Sequence, residues 1–154
     1  MQANIDKKIL NIVLATTLLM IFVCSLIFIV SFYGRYSADV YIGGAQVKAK
    51  VADDDVERQK GLSGTNQLNQ GDGMLFVFDY PADWPIWMKD MRYPIDIVWM
   101  DEDKKVVDVA VEVSPDSYPE QFVPKKAAKY VLELPSGFVK QYSVEVNTMA
   151  AFAY

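Results

Sequence analysis

A long uncharged run near the N-terminus constrains this chain more than any other feature. Residues 9–33 read ILNIVLATTLLMIFVCSLIFIVSFY and contain no Asp, Glu, Lys or Arg. The hydrocarbon core of a bilayer needs about 20 consecutive, mostly apolar helical residues. The run therefore predicts a single transmembrane helix, which divides the chain into a short tail (residues 1–8), an anchor (9–33) and one domain (34–154).

Two other interpretations of the run fit less well. A cleaved signal peptide has an apolar region of about 7–15 residues before a small-residue cleavage site, whereas this run is longer and bulky Tyr36 follows it. A buried core helix would be shorter and would have one polar face. Lys7 and Lys8 precede the run and Arg35 alone follows it closely. Since Lys and Arg accumulate on the cytoplasmic side, we expect a single-pass cell-membrane protein with a cytoplasmic N-terminus and residues 34–154 outside the cytoplasm.

The composition of the domain excludes several classes of function. The chain has a net charge of −5, and because Asp6, Lys7 and Lys8 precede the anchor, residues 34–154 carry −6. Such a charge argues against nucleic acid or anionic lipid as a partner. The chain has no His, and its one cysteine, Cys24, lies in the anchor. Histidine-dependent triads, a thiol nucleophile and imidazole or thiolate metal sites are therefore excluded from the domain, and we expect no metal and no cofactor.

Short apolar segments separated by turn residues run through the domain. Strands are predicted at residues 39–42, 45–52, 74–78, 86–88, 95–100, 106–113, 130–134 and 143–148, and loops at 63–73, 79–85 and 114–126. Gly43-Gly44 predicts a two-residue hairpin turn. A short helix is predicted at about 56–62, capped by an aspartate of the 53–55 cluster. The pattern indicates a mainly β domain, a small sandwich or barrel with one or two short helices.

Five motifs follow one another along the domain. They are ERQKGL at 57–62, GMLFVF at 73–78, WMKD at 87–90, YPIDIV at 93–98 and VLELPSG at 131–137. Together they resemble the domain-of-unknown-function family 192, also called uncharacterised protein family 0127, from about residue 45 to the end. The resemblance implies a small mainly β domain of jelly-roll-like or barrel-like character, often exported or membrane-anchored, and carries no established catalytic activity.

The chain departs from the family pattern at two places. Members usually have Asn-Thr where this chain has Asp90-Met91, and they often have a cysteine where it has Asp116. A role that depends on that asparagine, threonine or cysteine does not carry over to this protein.

Eight residues in or near the motifs are candidate ligand-binding residues, and none is assigned a catalytic role. They are Arg58, Trp84, Trp87, Lys89, Asp90, Tyr93, Asp96 and Glu133. The aromatic rings among them offer flat faces for sugar rings, with polar edges from Lys89 and Asp90, although aromatic residues also dominate small cores. Trp87 and Trp99 lie in predicted strands and fit the core, so Trp84 in a predicted loop is the favoured stacking residue.

The three charged residues of the strand and helix motifs have two interpretations. A carboxylate at Asp96, inside an apolar strand, must be paired to persist, and Arg58 offers a bidentate partner. A structural ion pair that pins the short helix to the sheet is favoured over a polar pocket. Glu133 alternates away from Leu132 and Leu134, which predicts that Glu133 faces water.

Two acidic clusters, residues 53–55 and 101–103, are candidate calcium ligands because calcium prefers oxygen donors. Neither has EF-hand spacing, so a helix cap and a solvated hairpin turn are the favoured interpretations.

The leading functional hypothesis is non-catalytic binding of a small or polymeric cell-envelope ligand such as a carbohydrate. One alternative is a carboxylate-dependent hydrolase of an envelope polymer that uses Asp90, Asp96 and Glu133, which requires two carboxyls about 5–9.5 Å apart. Another is an accessory subunit whose aromatic patch binds a second membrane protein.

Overall fold

The N-terminal helix α1 (Gln2–Gly34) forms a compact unit separate from the domain that follows it. The computed structural model describes residues 2–34 and 37–154, and the side chains of 7–28 and 37–154. Lys7–Phe28 is long and apolar enough to span a membrane, and it is not buried. The buried-core interpretation is therefore wrong, whereas a signal sequence would pass the same test of length and composition. Arg35 and Tyr36, on the predicted outer flank, lie outside the described residues.

The domain is built mainly from β-strands, as the sequence predicts. Its elements are β1 (Ser37–Ile42), β2 (Ala45–Ala52), α2 (Asp55–Lys60), β3 (Asp72–Ala82), β4 (Ile86–Trp87), β5 (Ile95–Met100), β6 (Val106–Val113), β7 (Gln121–Phe122), β8 (Ala128–Pro135) and α3 (Phe138–Gln141). Six strands form one mixed sheet in the order β1-β2-β3-β8-β5-β6, in which β2 and β3 are parallel and the other neighbours antiparallel. Strands β4 and β7 form a separate antiparallel pair.

Both faces of the six-stranded sheet are buried. Alternate residues of β8 divide between two apolar clusters: Leu132 and Leu134 pack on the first face with β1 and β2, and Val131 packs on the second face. Side chains of the C-terminal segment, such as Phe138, cover the first face. Residues from 84 to 93 pack against the second face. This two-sided burial explains why the central strands are continuous apolar runs.

The C-terminal segment joins the two edge strands of the sheet. The Asn147 N–H donates to the Val106 carbonyl of β6, and Tyr41 of β1 exchanges two backbone hydrogen bonds with Ala151, each 2.9 Å long. Because β1 and β6 are the outermost strands, these bonds link the two edges of the sheet through the C-terminal segment.

Three predicted segments differ from the structure, and the first is the loop predicted at 114–126, which contains strand β7 (Gln121–Phe122). Strand β3 continues to Ala82 through residues predicted as a loop, after an irregularity in its pairing with β8 beyond Val77. The strand predicted at 143–148 is wrong, because Ser143 and Asn147 have φ angles of +50° and +79°, which extended strands do not accommodate.

The Gly43-Gly44 turn offers a matched pair of substitutions. Both residues have positive φ, +58° and +80°, and a Cβ at Gly43 would lie 2.5 Å from the Tyr142 carbonyl oxygen, whereas one at Gly44 would meet nothing within 4 Å. We expect Gly44→Ala to lower the free energy of unfolding by about 1 kcal/mol through its φ angle. Gly43→Ala is expected to lower it by about 3 kcal/mol, since the backbone must also move.

Urea unfolding of the full chain in detergent micelles measures both effects. Tryptophan fluorescence reports on the domain alone, because all three tryptophans lie in it. Equal losses for the two glycine variants would show that the approach to Tyr142 is unimportant.

A candidate ligand cleft on the second face of the sheet

A cleft opens on the second face of the sheet, between the end of α2 and residues 84–91. Its floor is formed by β3 and β8, and it has two adjoining parts. The inner part has a volume of about 50 Å³ and contains Glu133. The outer part has a volume of about 290 Å³ and contains Phe78, Trp84 and Gln121. The residues that line both parts are Arg58, Gln59, Phe76, Pro85, Ile86 and Trp87.

Helix α2 is fixed at both ends, which positions one wall of the cleft. Asp54 caps its N-terminus, where Oδ1 accepts a 2.7 Å hydrogen bond from the Glu57 N–H. The helix ends at Gly61, where a Cβ would lie 3.3 Å from the Phe76 ring. The helix therefore begins at the acidic cluster, as predicted, and stops where the chain approaches the cleft floor.

Glu133 lies at the base of the cleft. It occupies the central strand β8, paired with Met74 of β3 on one side and Ile97 of β5 on the other. Its side chain is only 5% exposed, and its Oε2 atom has no hydrogen-bond partner. The prediction that Glu133 faces water is wrong, because the second face of the sheet is covered as well as the first.

Burial changes the protonation of this carboxyl group. Desolvation disfavours the ionised form and raises the pKa of Glu133 from 4.5 to about 8. At neutral pH the group is therefore predominantly a neutral acid, with one O–H donor. Among the described side chains, Glu57 also has a buried Oε2 without a partner, but Glu57 does not line the cleft.

Arg58 anchors α2 to the sheet through groups other than Asp96. Its Nη1 atom donates to the carbonyls of Asp53 and Val77 at 2.6 and 2.7 Å, and Nη2 donates to Asp55 at 2.6 Å. Its guanidinium also lies 5.3 Å from the centroid of the Phe78 ring. Arg58 thus connects α2 to β3 through the Val77 carbonyl. The predicted ion pair between Arg58 and Asp96 is wrong.

Asp96 points to the opposite face of the sheet and is completely buried there. Its Oδ1 accepts from the Glu112 N–H and its Oδ2 from the Val139 N–H, both at 2.8 Å. Backbone donors thus satisfy the carboxylate in place of a cation. Asp90 also lies outside the cleft, exposed and at a φ of +55°. Of the three candidate carboxyls, only Glu133 lines the cleft.

Of the three tryptophans, Trp87 lies differently from the prediction, because it is not in the core. Trp87 is 39% exposed and lines the cleft, with the Lys89 Nζ atom 5.9 Å from its ring centroid. Trp84 is half-buried and stacks on Phe78 at 4.1 Å, so one face of its ring is already occupied. Trp99 is buried, as predicted. The two-residue strand β4 turns Ile86 inward and Trp87 outward, which makes Trp87 the more accessible stacking surface.

Tyr93 and Lys89 connect the two walls of the cleft. The Tyr93 hydroxyl lies 2.6 Å from the Thr65 hydroxyl, and the Lys89 carbonyl accepts a 2.7 Å bond from the Ser63 hydroxyl. Neither Tyr93 nor Lys89 lines the cleft itself. Both residues therefore stabilise the cleft from outside it, because these contacts hold the turn after α2 against residues 88–93.

The second acidic cluster forms a turn, as favoured from its spacing. Asp101 Oδ1 accepts from the Asp103 and Lys105 N–H groups at 3.0 and 2.9 Å. The carboxylate thus stabilises the β5–β6 hairpin.

Sequence reasoning missed two residues of the cleft floor. The sequence pattern indicates only that Phe76 and Phe78 belong to a buried strand. The one available signal is Glu133, the only charged residue in the apolar run VLEL. A charged residue in such a run indicates that a buried polar group lies next to the strand that pairs with it. That partner, β3, is distant in sequence.

Comparison with known proteins agrees with this architecture. The family model for DUF192, described as "Uncharacterized ACR, COG1430", matches residues 38–152. A UPF0127 protein of Thermococcus kodakarensis is 32% identical over 105 residues, 68% of this chain and 64% of that protein. One of Pyrococcus abyssi is 34% identical over 102 residues, 65% of this chain and 81% of that protein. The match thus spans less than two thirds of the T. kodakarensis protein.

Solved structures share the fold. A proposed transcription regulator of Sinorhizobium meliloti superposes with a TM-score of 0.71 at 25% identity, over 76% of this chain and 95% of that one. A protein of unknown function from Novosphingobium aromaticivorans gives a TM-score of 0.67 at 20% identity, over 75% and 83% of the two chains. The sequence match and the shared fold together show that this chain belongs to the DUF192 family.

Proposed function

We propose that the domain is a non-catalytic binding module, and that its ligand is a carbohydrate group of the cell envelope held in the cleft. The observation that carries the proposal is the unpartnered Oε2 atom of Glu133, buried at the cleft base. A buried polar atom without a hydrogen bond is unfavourable. A ligand that reaches the base would supply the missing partner.

The size and lining of the cleft support a small ring-shaped ligand. The outer part, about 290 Å³, is at the lower end of the ~300–1,000 Å³ typical of ligand pockets. Its lining combines aromatic rings, such as Phe78 and Trp87, with the amide side chains of Gln59 and Gln121. A sugar ring has the matching chemistry, because it has an apolar face and hydrogen-bonding edges.

The distribution of carboxyl groups favours binding over hydrolysis. Glycoside hydrolysis ordinarily uses two carboxyls that flank the scissile bond. Asp96 lies on the other face of the sheet, where its carboxylate accepts hydrogen bonds from two backbone N–H groups. The described lining residues therefore offer Glu133 without a second carboxyl group.

We also propose that α1 anchors the domain outside the cytoplasm. Lys7 and Lys8 precede the apolar stretch, which supports a cytoplasmic N-terminus. If this is right, the mature protein retains its N-terminus, resists carbonate extraction from membranes, and loses its domain to protease added outside the cell. A shortened, soluble mature chain would instead identify a signal sequence.

Calorimetric titration of the full chain in lipid nanodiscs tests the binding proposal. The probes are N-acetylated chitotetraose, cellotetraose and maltotetraose. We expect at least one to bind, and Trp87→Ala to weaken that binding about tenfold because stacking on an aromatic ring is lost.

The matched control is Tyr41→Ala, an exposed aromatic residue of β1 that does not line the cleft. This variant is expected to bind like the parent. Binding of no probe by the folded chain, or equal losses in the two variants, would contradict a carbohydrate site in the cleft.

A further inference from the structure

Among the residues that the structure describes, no cation forms an ion pair with the Glu133 carboxyl group. Titratable or charged side chains lining the inner cleft besides Glu133 come from α2 and are Arg58 and Lys60. Arg58 donates to Asp53, Val77 and Asp55, as described above. Lys60 is exposed at the end of the helix.

The other elements around Glu133 are uncharged where they face it. The paired residues of β3 and β5 are Met74 and Ile97, and β3 also contributes Phe76. Residues 85–91 contribute Pro85, Ile86, Trp87 and Met91 to the inner cleft. The Lys89 ammonium lies over the Trp87 ring. The cleft thus presents a neutral acid at its base and basic groups on its walls.

We propose that the cleft selects a sugar unit with an uncharged N-acyl group, whose carbonyl oxygen bonds the buried Glu133 carboxyl group at the cleft base, and that it discriminates against a unit with a free amine. The inference rests on the proposed function and specifies its ligand class. A neutral carboxyl donates one hydrogen bond, which a carbonyl or hydroxyl oxygen accepts and an ammonium group does not. An ammonium group would also enter a cleft that already holds Arg58 and Lys60 on its walls.

Binding should then depend on pH in a defined direction. Without ligand, the pKa of Glu133 is raised to about 8 because burial disfavours the ionised form. A ligand that binds only the protonated form loses affinity as pH rises through that value, about tenfold for each unit above it. Between pH 6 and pH 9 the expected loss is about tenfold. Glu133→Gln keeps a donor at this position but does not titrate, so its affinity should be the same at both pH values.

The experiment compares two tetrasaccharides of the same length and ring geometry: N-acetylated chitotetraose and its fully deacetylated form. Both are titrated at pH 6 into the full chain in nanodiscs, and the acetylated sugar is titrated again at pH 9. We expect the acetylated sugar to bind at least tenfold more tightly than the deacetylated one at pH 6. We also expect Glu133→Gln to bind it equally at both pH values. Glu145→Gln, which changes an exposed glutamate outside the cleft, should keep the pH dependence of the parent.

Different failures have different meanings. Tighter binding of the deacetylated sugar, abolished by Glu133→Gln and weakened by Trp87→Ala, would overturn this inference while leaving the cleft as a carbohydrate site. Affinity that does not change with pH in the parent chain would overturn it in the same way. Binding of neither sugar would overturn the inference, and failure of the whole panel would also overturn the proposed function.

Discussion

Replacing Asp96 by alanine is expected to lower the free energy of unfolding of the domain by about 4 kcal/mol. The carboxylate accepts hydrogen bonds from two backbone N–H groups and is completely buried. Each N–H left without a partner costs about 1–3 kcal/mol when it is buried, and bonds to charged groups are at the strong end of the range. Asp96→Asn keeps one acceptor oxygen and should lose about half as much.

The position of Asp96 explains why so much depends on one side chain. On one side it fills an irregularity of the β5–β6 pairing, where Ile95 pairs with Val113 but Ile97 pairs with Ala110. On the other side it bonds the first turn of α3, through Val139, where the N-cap residue is a glycine without a side chain. The carboxylate therefore stabilises both the irregular β5–β6 pairing and the first turn of α3.

Urea unfolding of the full chain in detergent, followed by tryptophan fluorescence, measures these changes. Asp39→Ala is the matched control, because Asp39 is an exposed aspartate of β1, and its substitution should change the free energy by less than about 0.5 kcal/mol. A loss below about 1 kcal/mol for Asp96→Ala would contradict the structural role described here.

The stability of the domain relative to Glu133→Gln is expected to fall as pH rises from about 4.5 to about 8. The pKa of Glu133 is raised in the folded state, from 4.5 to about 8, so over this range the unfolded chain releases a proton that the folded chain retains. The contribution is fully present below the unfolded pKa and is lost as pH approaches the folded one. One pKa unit corresponds to 1.36 kcal/mol, so the total change is about 5 kcal/mol.

The difference in unfolding free energy between the parent and Glu133→Gln isolates the contribution of Glu133, because the other titrating groups are common to both chains. Urea unfolding of the parent and of Glu133→Gln at several pH values should give free energies that diverge by up to about 5 kcal/mol toward pH 8 and run parallel above it. A constant difference for Glu133→Gln would mean that folding leaves the pKa of Glu133 unchanged.

Much of the secondary structure is accessible from sequence because the determinants are local. The apolar runs of β5 and β6, the Gly43-Gly44 turn and the aspartate before α2 all act within a few residues. Helix α3 has no such signal, since its N-cap is Gly137 and the side chain that bonds its first turn is Asp96. A helix of this kind is invisible until the sheet is assembled.

The cleft is harder to predict because it depends on pairing between distant segments. Alternation along β8 shows that Glu133 and Leu132 face opposite ways, but it does not show that both faces are covered. Coverage of the second face depends on residues 84–93 folding back onto the sheet. In the same way, the outward direction of Trp87 follows from the pairing of β4 with β7.

Infrared difference spectroscopy shows whether Glu133 is a neutral acid whose Oε2 atom awaits a ligand at the base of the cleft. The spectrum of the full chain minus that of Glu133→Gln is recorded at pH 6 in deuterated buffer, with and without N-acetylated chitotetraose. We predict the carbonyl band of a protonated carboxyl group, lost as pH rises through about 8 and shifted to lower frequency when the sugar is added. A spectrum without that band at pH 6 would show that the carboxyl group is ionised, and a band that the sugar leaves unchanged would show that the sugar does not bind it.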